Sequence, residues 1–115
     1  MKTDITIMVP GKPTEKRTVE LPKVPSYDDI NAVVGPIIGK SNWFEHVTVL
    51  HGDTVTDMFV DETGHLKKLP RNEDATRIYR NATMKGRTSV VYNGDPESLP
   101  FIVGPAVLTS RRVWF

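Results

Sequence analysis

Ile5, Ile7 and Val9 alternate with Thr6 and Met8, a pattern that predicts a strand with one buried face. Gly11-Lys12-Pro13-Thr14 has turn chemistry, and alternation resumes over residues 17–21, so the two runs predict an antiparallel hairpin. Pro22 and Pro25 stiffen the connector that follows. Next, Ile30, Val33, Val34, Ile37 and Ile38 recur at helical spacing, with Ser26 and Asp29 placed as a capping box. Pro36 predicts that this helix kinks or splits near its end.

After a polar bend at residues 40–42 and Trp43-Phe44, residues 46–50 and 54–60 form two valine- and threonine-rich runs. The Gly52-Asp53 turn between them predicts a second hairpin. Asp61 to Gly64 is a turn, and Leu66 and Leu69 bracket Lys67-Lys68 in a short extended piece that Pro70 ends. Asn72 is an N-cap residue, and Glu73 and Asp74 suit the positive end of a helix dipole. Ala75, Ile78, Tyr79 and Ala82 share one face of that helix, with Arg77, Arg80 and Asn81 mostly on the other. Lys85-Gly86 closes it, residues 87–92 read as a strand, and Asn93-Gly94-Asp95-Pro96 as a surface turn. Residues 101–108 are the most apolar run and predict an interior strand, bent or bulged at Gly104-Pro105. The pattern predicts one α+β domain over residues 1–115. Its antiparallel or mixed sheet has about five or six strands and carries two helices.

Composition narrows the function classes. A chain of 115 residues holds one modest core. Fifteen basic and fourteen acidic side chains leave a net charge of +1, too balanced for charge alone to predict a nucleic-acid binder. The chain has no cysteine, which excludes disulfides, thiolate metal sites and a cysteine nucleophile. No apolar stretch approaches bilayer length and no signal peptide is evident, so a cytoplasmic, non-membrane protein is expected. Asn81-Ala82-Thr83 matches a glycosylation sequon that a cytosolic chain would not use.

Candidate chemistry is sparse. Gly35 to Ser41 imitates a phosphate-binding loop, but the glycines are too close and a helix precedes them where a strand should. His46, His51 and His65 with Asp53, Asp57, Asp61 and Glu62 lack metal-ligand spacing. His46 and His51 leave opposite faces of one strand, and the group reads as solvated turn residues. No nucleophile motif appears, so no catalytic residue, metal or cofactor is expected. The one suggestive group is cationic: Lys67, Lys68, Arg71, Arg77 and Arg80 around the second helix, with Arg111 and Arg112 further on. Arginine forks grip phosphate or carboxylate, and helix-start amides attract anions. Glu73 and Asp74 at that helix start oppose an anion, and a solvated charged face explains the same residues.

Residues 59–76, Phe-Val-Asp-Glu-Thr-Gly-His-Leu-Lys-Lys-Leu-Pro-Arg-Asn-Glu-Asp-Ala-Thr, resemble a family of small domains of unknown function frequent in bacteriophage, plasmid and mobile-element genomes. The shared run is Val-Asp/Asn-Glu-x-Gly-x-Leu-Lys-x-Leu-Pro-x-Asn-x-x-Ala-Thr. An amphipathic helix with a Val-Gly pair, here Val34-Gly35, precedes it, and an apolar strand like residues 102–108 follows. The resemblance implies origin more than activity and brings no catalytic residues. It implies a non-catalytic accessory protein in the cytoplasm of an infected or plasmid-bearing bacterium. Such a protein would bind and inhibit or modulate a host or phage protein, for example a defence component. The alternative is sequestration of a small anionic, nucleotide-derived signal at Lys67, Lys68, Arg71, Arg77, Arg80 and Arg111. The sequence leaves the oligomeric state open, a homo-oligomer included.

Overall fold

Alternation and helical stripes become seven elements in the computed structural model, which describes residues 1–39, 44–63, 67–84 and 101–115. They are β1 (Lys2–Met8), β2 (Glu15–Glu20), α1 (Tyr27–Ile38), β3 (Phe44–His51), β4 (Thr54–Asp61), α2 (Glu73–Met84) and β5 (Ala106–Thr109). The strands make one five-stranded sheet in the order β2-β1-β5-β4-β3, and every neighbouring pair is antiparallel. This is the α+β class that the sequence predicts, with both hairpins and both helices in place.

Successive strand residues point to opposite faces, and here each face receives a helix. Ile5, Ile7, Phe59 and Val107 pack under Ile30, Val34 and Ile38 of α1. Met8, Met58, Val60, Ala106 and Leu108 pack under Ala75, Ile78 and Ala82 of α2. A strand buried on both faces cannot alternate in polarity. That accounts for the apolar run of β5, where all four residues are buried. β5 lies at the centre of the sheet, between β1 and β4.

α1 opens on the predicted capping box. Ser26 Oγ accepts from the Asp29 amide at 3.2 Å, and Asp29 Oδ2 accepts from the Ser26 amide at 2.9 Å. Pro36 does not divide it: one helix runs to Ile38 with the proline in its last turn, where the missing N–H forfeits one bond to the carbonyl four residues back. A second expectation also changes. Lys67 and Lys68 form a turn rather than an extended piece, with Lys68 at φ 55°. The predicted bend at 40–42, Trp43, Gly64 to Leu66, the helix stop at 85–86, the strand at 87–92 and the turn at 93–96 lie outside the described residues.

α2 is fixed at its start. Asn72 is 2% exposed, and its Oδ1 accepts from the Ala75 amide at 3.1 Å as the expected N-cap. Its Nδ2 donates to the carbonyls of Met8 and Gly104, both at 2.9 Å. One amide side chain thus joins α2, the end of β1 and the approach to β5. Backbone bonds run beside it, from Asn72 N to Ile102 O and from Gly104 N to Pro70 O, each 2.8 Å. Gly104 makes the predicted bend at φ +75°, and a Cβ there would lie 2.7 Å from Leu69 Cδ1. Only glycine suits both the conformation and the space.

Replacing Asn72 therefore removes more than a cap. We expect Asn72→Ala to cost about 3 kcal/mol, the sum of a lost cap and two buried carbonyls left without a donor. Asn72→Asp keeps a good capping oxygen but sets a carboxylate against those carbonyls, so it should destabilise at least as much. Urea denaturation of both variants checks this. Wild-type stability in Asn72→Asp would show that the two Nδ2 bonds contribute nothing.

Candidate functional site

The six cations singled out by sequence do not converge. Lys67 Nζ donates at 3.0 Å to Asp61 Oδ2. Arg71 pairs with Glu73 at 2.9 Å and lies 5.1 Å above the Phe101 ring. Arg77 pairs with Asp74 at 3.0 Å, one helical turn away. Lys68 is exposed on its turn, whereas Arg80 is buried at 7% exposure and is not part of the solvated helix face expected of it. Arg111 is held far along the chain from α2. Its guanidinium donates to Thr3 Oγ1 at 2.9 Å and to the Pro22, Lys23 and Arg112 carbonyls at 2.8, 3.1 and 3.1 Å.

Burial also removes two acids from the solvated group. Asp61 closes the turn after β4: Oδ1 accepts from the Thr63 amide and hydroxyl at 2.9 and 3.0 Å, while Oδ2 faces Lys67. Burial alone would raise its pKa, but these bonds and the lysine charge hold it below the ordinary value.

Asp57 is a buried acid with both carboxylate oxygens engaged. It projects from β4 toward α1, on the same face as Phe59, and is 0% exposed. Oδ1 meets His46 Nε2 at 2.6 Å and Arg112 Nε at 3.0 Å. Oδ2 accepts from the Val113 and Trp114 amides at 2.7 and 3.0 Å. Burial pushes its pKa up, yet the His46 bond, the two amides and the His46 charge outweigh burial and keep it lowered. An ionised carboxylate only accepts, so Nε2 of His46 carries the hydrogen. The His46 ring stacks on Trp114, with centroids 5.0 Å apart and planes 13° from parallel. With two donors at each oxygen, the carboxylate is saturated. A His–Asp pair is the raw material of general-base catalysis, but here the carboxylate is engaged in tethering residues 112–114 to the sheet.

A trough of about 630 Å³ lies on the α2 face of the sheet. Thr6 and Leu108 line its floor, Lys16 and Thr18 of β2 one rim, and Asp74 and Arg77 of α2 the other, with His51 beside them. Asp4 accepts from Thr18 Oγ1 at 2.7 Å. Arg77 is the one member of the predicted cationic set that lines the trough. Sequence reading missed it because its walls come from the first hairpin, β5 and α2, which only the sheet order brings together. His46 and His51 do leave opposite faces of β3, as their spacing predicts: one stacks on Trp114, the other lines the trough.

Fold and site together define a small antiparallel α+β domain with a helix on each face and a mixed-charge trough beside one of them. No family model, no curated protein and no solved structure matches this chain. Among the described residues no group of three or more histidine or acidic side chains is placed to hold a metal, and no helix is long and apolar enough to cross a membrane.

The tether has a pH signature. Because the folded-state pKa of Asp57 is depressed, its contribution is complete above the ordinary value near 3.8 and is lost as pH falls through the lower folded value. Asp57→Asn should cost about 3 kcal/mol at neutral pH, since it leaves Arg112, His46 and two amides facing a poor acceptor. It should also flatten the acid limb of the stability curve. In a Trp43→Phe background, Trp114 emission reports the tether directly. Equal acid sensitivity of wild type and Asp57→Asn would show that other carboxylates control the transition.

Proposed function

We propose that this chain is a non-catalytic binding domain, a phage or mobile-element accessory protein of the bacterial cytoplasm. It docks a segment of a host protein, for example a defence component, in the trough between the first hairpin and α2, and inhibits or modulates it. The observation that carries this reading is the charge balance of the trough. Lys16, Arg17 and Arg77 share the trough with Asp4 and Asp74 above a floor of hydroxyl and apolar groups, and Arg17 and Arg77 are already paired with Glu15 and Asp74. Such a lining suits a protein segment, whose own charges and amides are mixed, better than a compact polyanion. The setting rests on the resemblance of residues 59–76 alone.

Sequestration of a nucleotide-derived anion has less support. Its six cations are dispersed, and Lys67, Arg71 and Arg77 already face carboxylates.

A photo-crosslinking side chain at Lys16, on the rim, tests the proposal in bacterial cells. We expect one host protein to be captured, and capture to disappear when Thr18→Trp fills the trough. A crosslink that survives Thr18→Trp would place the partner elsewhere. A rise in melting temperature with adenine nucleotides, cyclic dinucleotides or ADP-ribose derivatives, abolished by Arg77→Gln, would replace the protein-partner reading with the anionic-ligand one.

A further inference from the structure

The sheet is wider than the helix that lies on it. α2 packs on Val47 and Val49 of β3, Met58 and Val60 of β4, and Ala106 and Leu108 of β5, with Met8 at the end of β1. On the same face Asp4 of β1 and Lys16 and Thr18 of β2 are exposed, and Thr6 is half-buried. These four residues line the trough. The returning chain meets α2 on its other flank, where the Ile102 amide donates to Thr76 Oγ1 at 2.9 Å. Two bare strands span about 10 Å, at about 4.8 Å each. That is about the width of one more helix.

We infer that the segment docked in this trough is an α-helix laid beside α2, an inference that rests on the docking proposed for the same site. The first reason is backbone hydrogen bonding. β1 is paired on both sides, with β2 and with β5, so the floor offers side chains and no free strand edge. An extended segment lying there would bring amides and carbonyls that find no strand partner, whereas a helix satisfies most of its own. Side chains that could serve an extended backbone are largely taken. Glu15 holds Arg17, Asp74 holds Arg77, and the Thr18 hydroxyl donates to Asp4 Oδ1.

The second reason is the charge left over. Among the described residues no bond engages Lys16 Nζ or Asp4 Oδ2. Lys16 stands opposite Thr6, and Asp4 lies two residues along β1 from Thr6. The two charged residues are therefore diagonal neighbours, about 7–8 Å apart. Residues four apart on a helix stand at a similar spacing, about 6 Å. A helix with an acid and a base four residues apart meets both charges at once. Nearer α2, Leu108 and Ile78 offer an apolar strip to its adjoining residues. The partner is thus a protein helix that sets one acidic and one basic residue beside an apolar stripe.

A photo-crosslinking side chain at Thr14, an uncharged residue of the lining, identifies the captured segment, which is then made as a synthetic peptide. The peptide should gain helical circular dichroism when it binds. Proline at its centre should weaken binding by about tenfold or more, where alanine is tolerated. Asp4→Lys should weaken it severalfold, and exchanging the peptide's facing base for an acid should restore it. Binding without a gain of helix, or undiminished by proline, would overturn the helix and leave docking in the trough standing. Failure of the charge exchange would overturn the pairing with Asp4. Capture of a second copy of this chain, or of nothing, would overturn the docking and the helix together.

Discussion

Asn72 is the point at which the first hairpin, the second helix and the approach to the central strand are tied together. β5 is inserted between β1 and β4, so the chain must leave the sheet after β4, form α2 and return to the middle of the sheet. The return is guided where residues 70–72 run beside 102–104, and there Asn72 serves α2 through its oxygen and β1 and Gly104 through its nitrogen. Thr76 extends the same seam, its hydroxyl 2.9 Å from the Ile102 amide. The Leu-Pro-x-Asn-x-x-Ala-Thr run of the resemblance is, in this chain, largely a docking device: Leu69 packs at Gly104, Ala75 is fully buried, and Asn72 and Thr76 meet the returning strand. Its residues are explained by architecture before any ligand is invoked.

A second polar centre does the same for the opposite face. β4 is buried along most of its length, and a carboxylate placed there without donors would cost several kcal/mol. Asp57 avoids that cost by drawing in Arg112 and the amides of residues 113 and 114, while Arg111 binds the carbonyls of the connector that leads to α1. Val113 is thereby set into the core under α1, and Trp114 completes an aromatic group with Phe44, Phe59 and His46. Burial and ion pairing are coupled here. The apolar packing of residues 113 and 114 depends on a polar group fifty-odd residues earlier in the chain.

These two centres change the meaning of the charged residues. Lys67, Arg111 and Arg112 belong to the scaffold, since each is held by a buried carboxylate or by backbone carbonyls. Of the cations left at the surface, Arg71 and Arg77 stand beside acids of α2 and present little net field, and Lys68 stands apart from them on its turn. A surface of this kind recognises through shape and paired charges. That agrees better with the contact proposed at the trough than with an anion trap.

Elements whose signal is local were legible in the sequence. Alternation at Ile5 and Ile7, the stripe from Ile30 to Ile38 with its Ser26–Asp29 box, the Asn72 cap and the Gly104 bend all follow from residues close to one another in the chain. The α+β class follows from them. What the sequence could not supply was which strands become neighbours. Asp57 reads as one more solvated acid until the sheet order and the inward pleat of β4 bring His46 and residues 112–114 onto it. Arg80 reads as part of a polar helix face, yet in the fold it is buried. The trough likewise has no sequence signature, because its rims are β2 and α2, more than fifty residues apart. Local propensity and periodicity act within a few residues, and so determined the elements. The partners of each buried charge were decided by long-range pairing, where an unsatisfied polar group is too costly to keep.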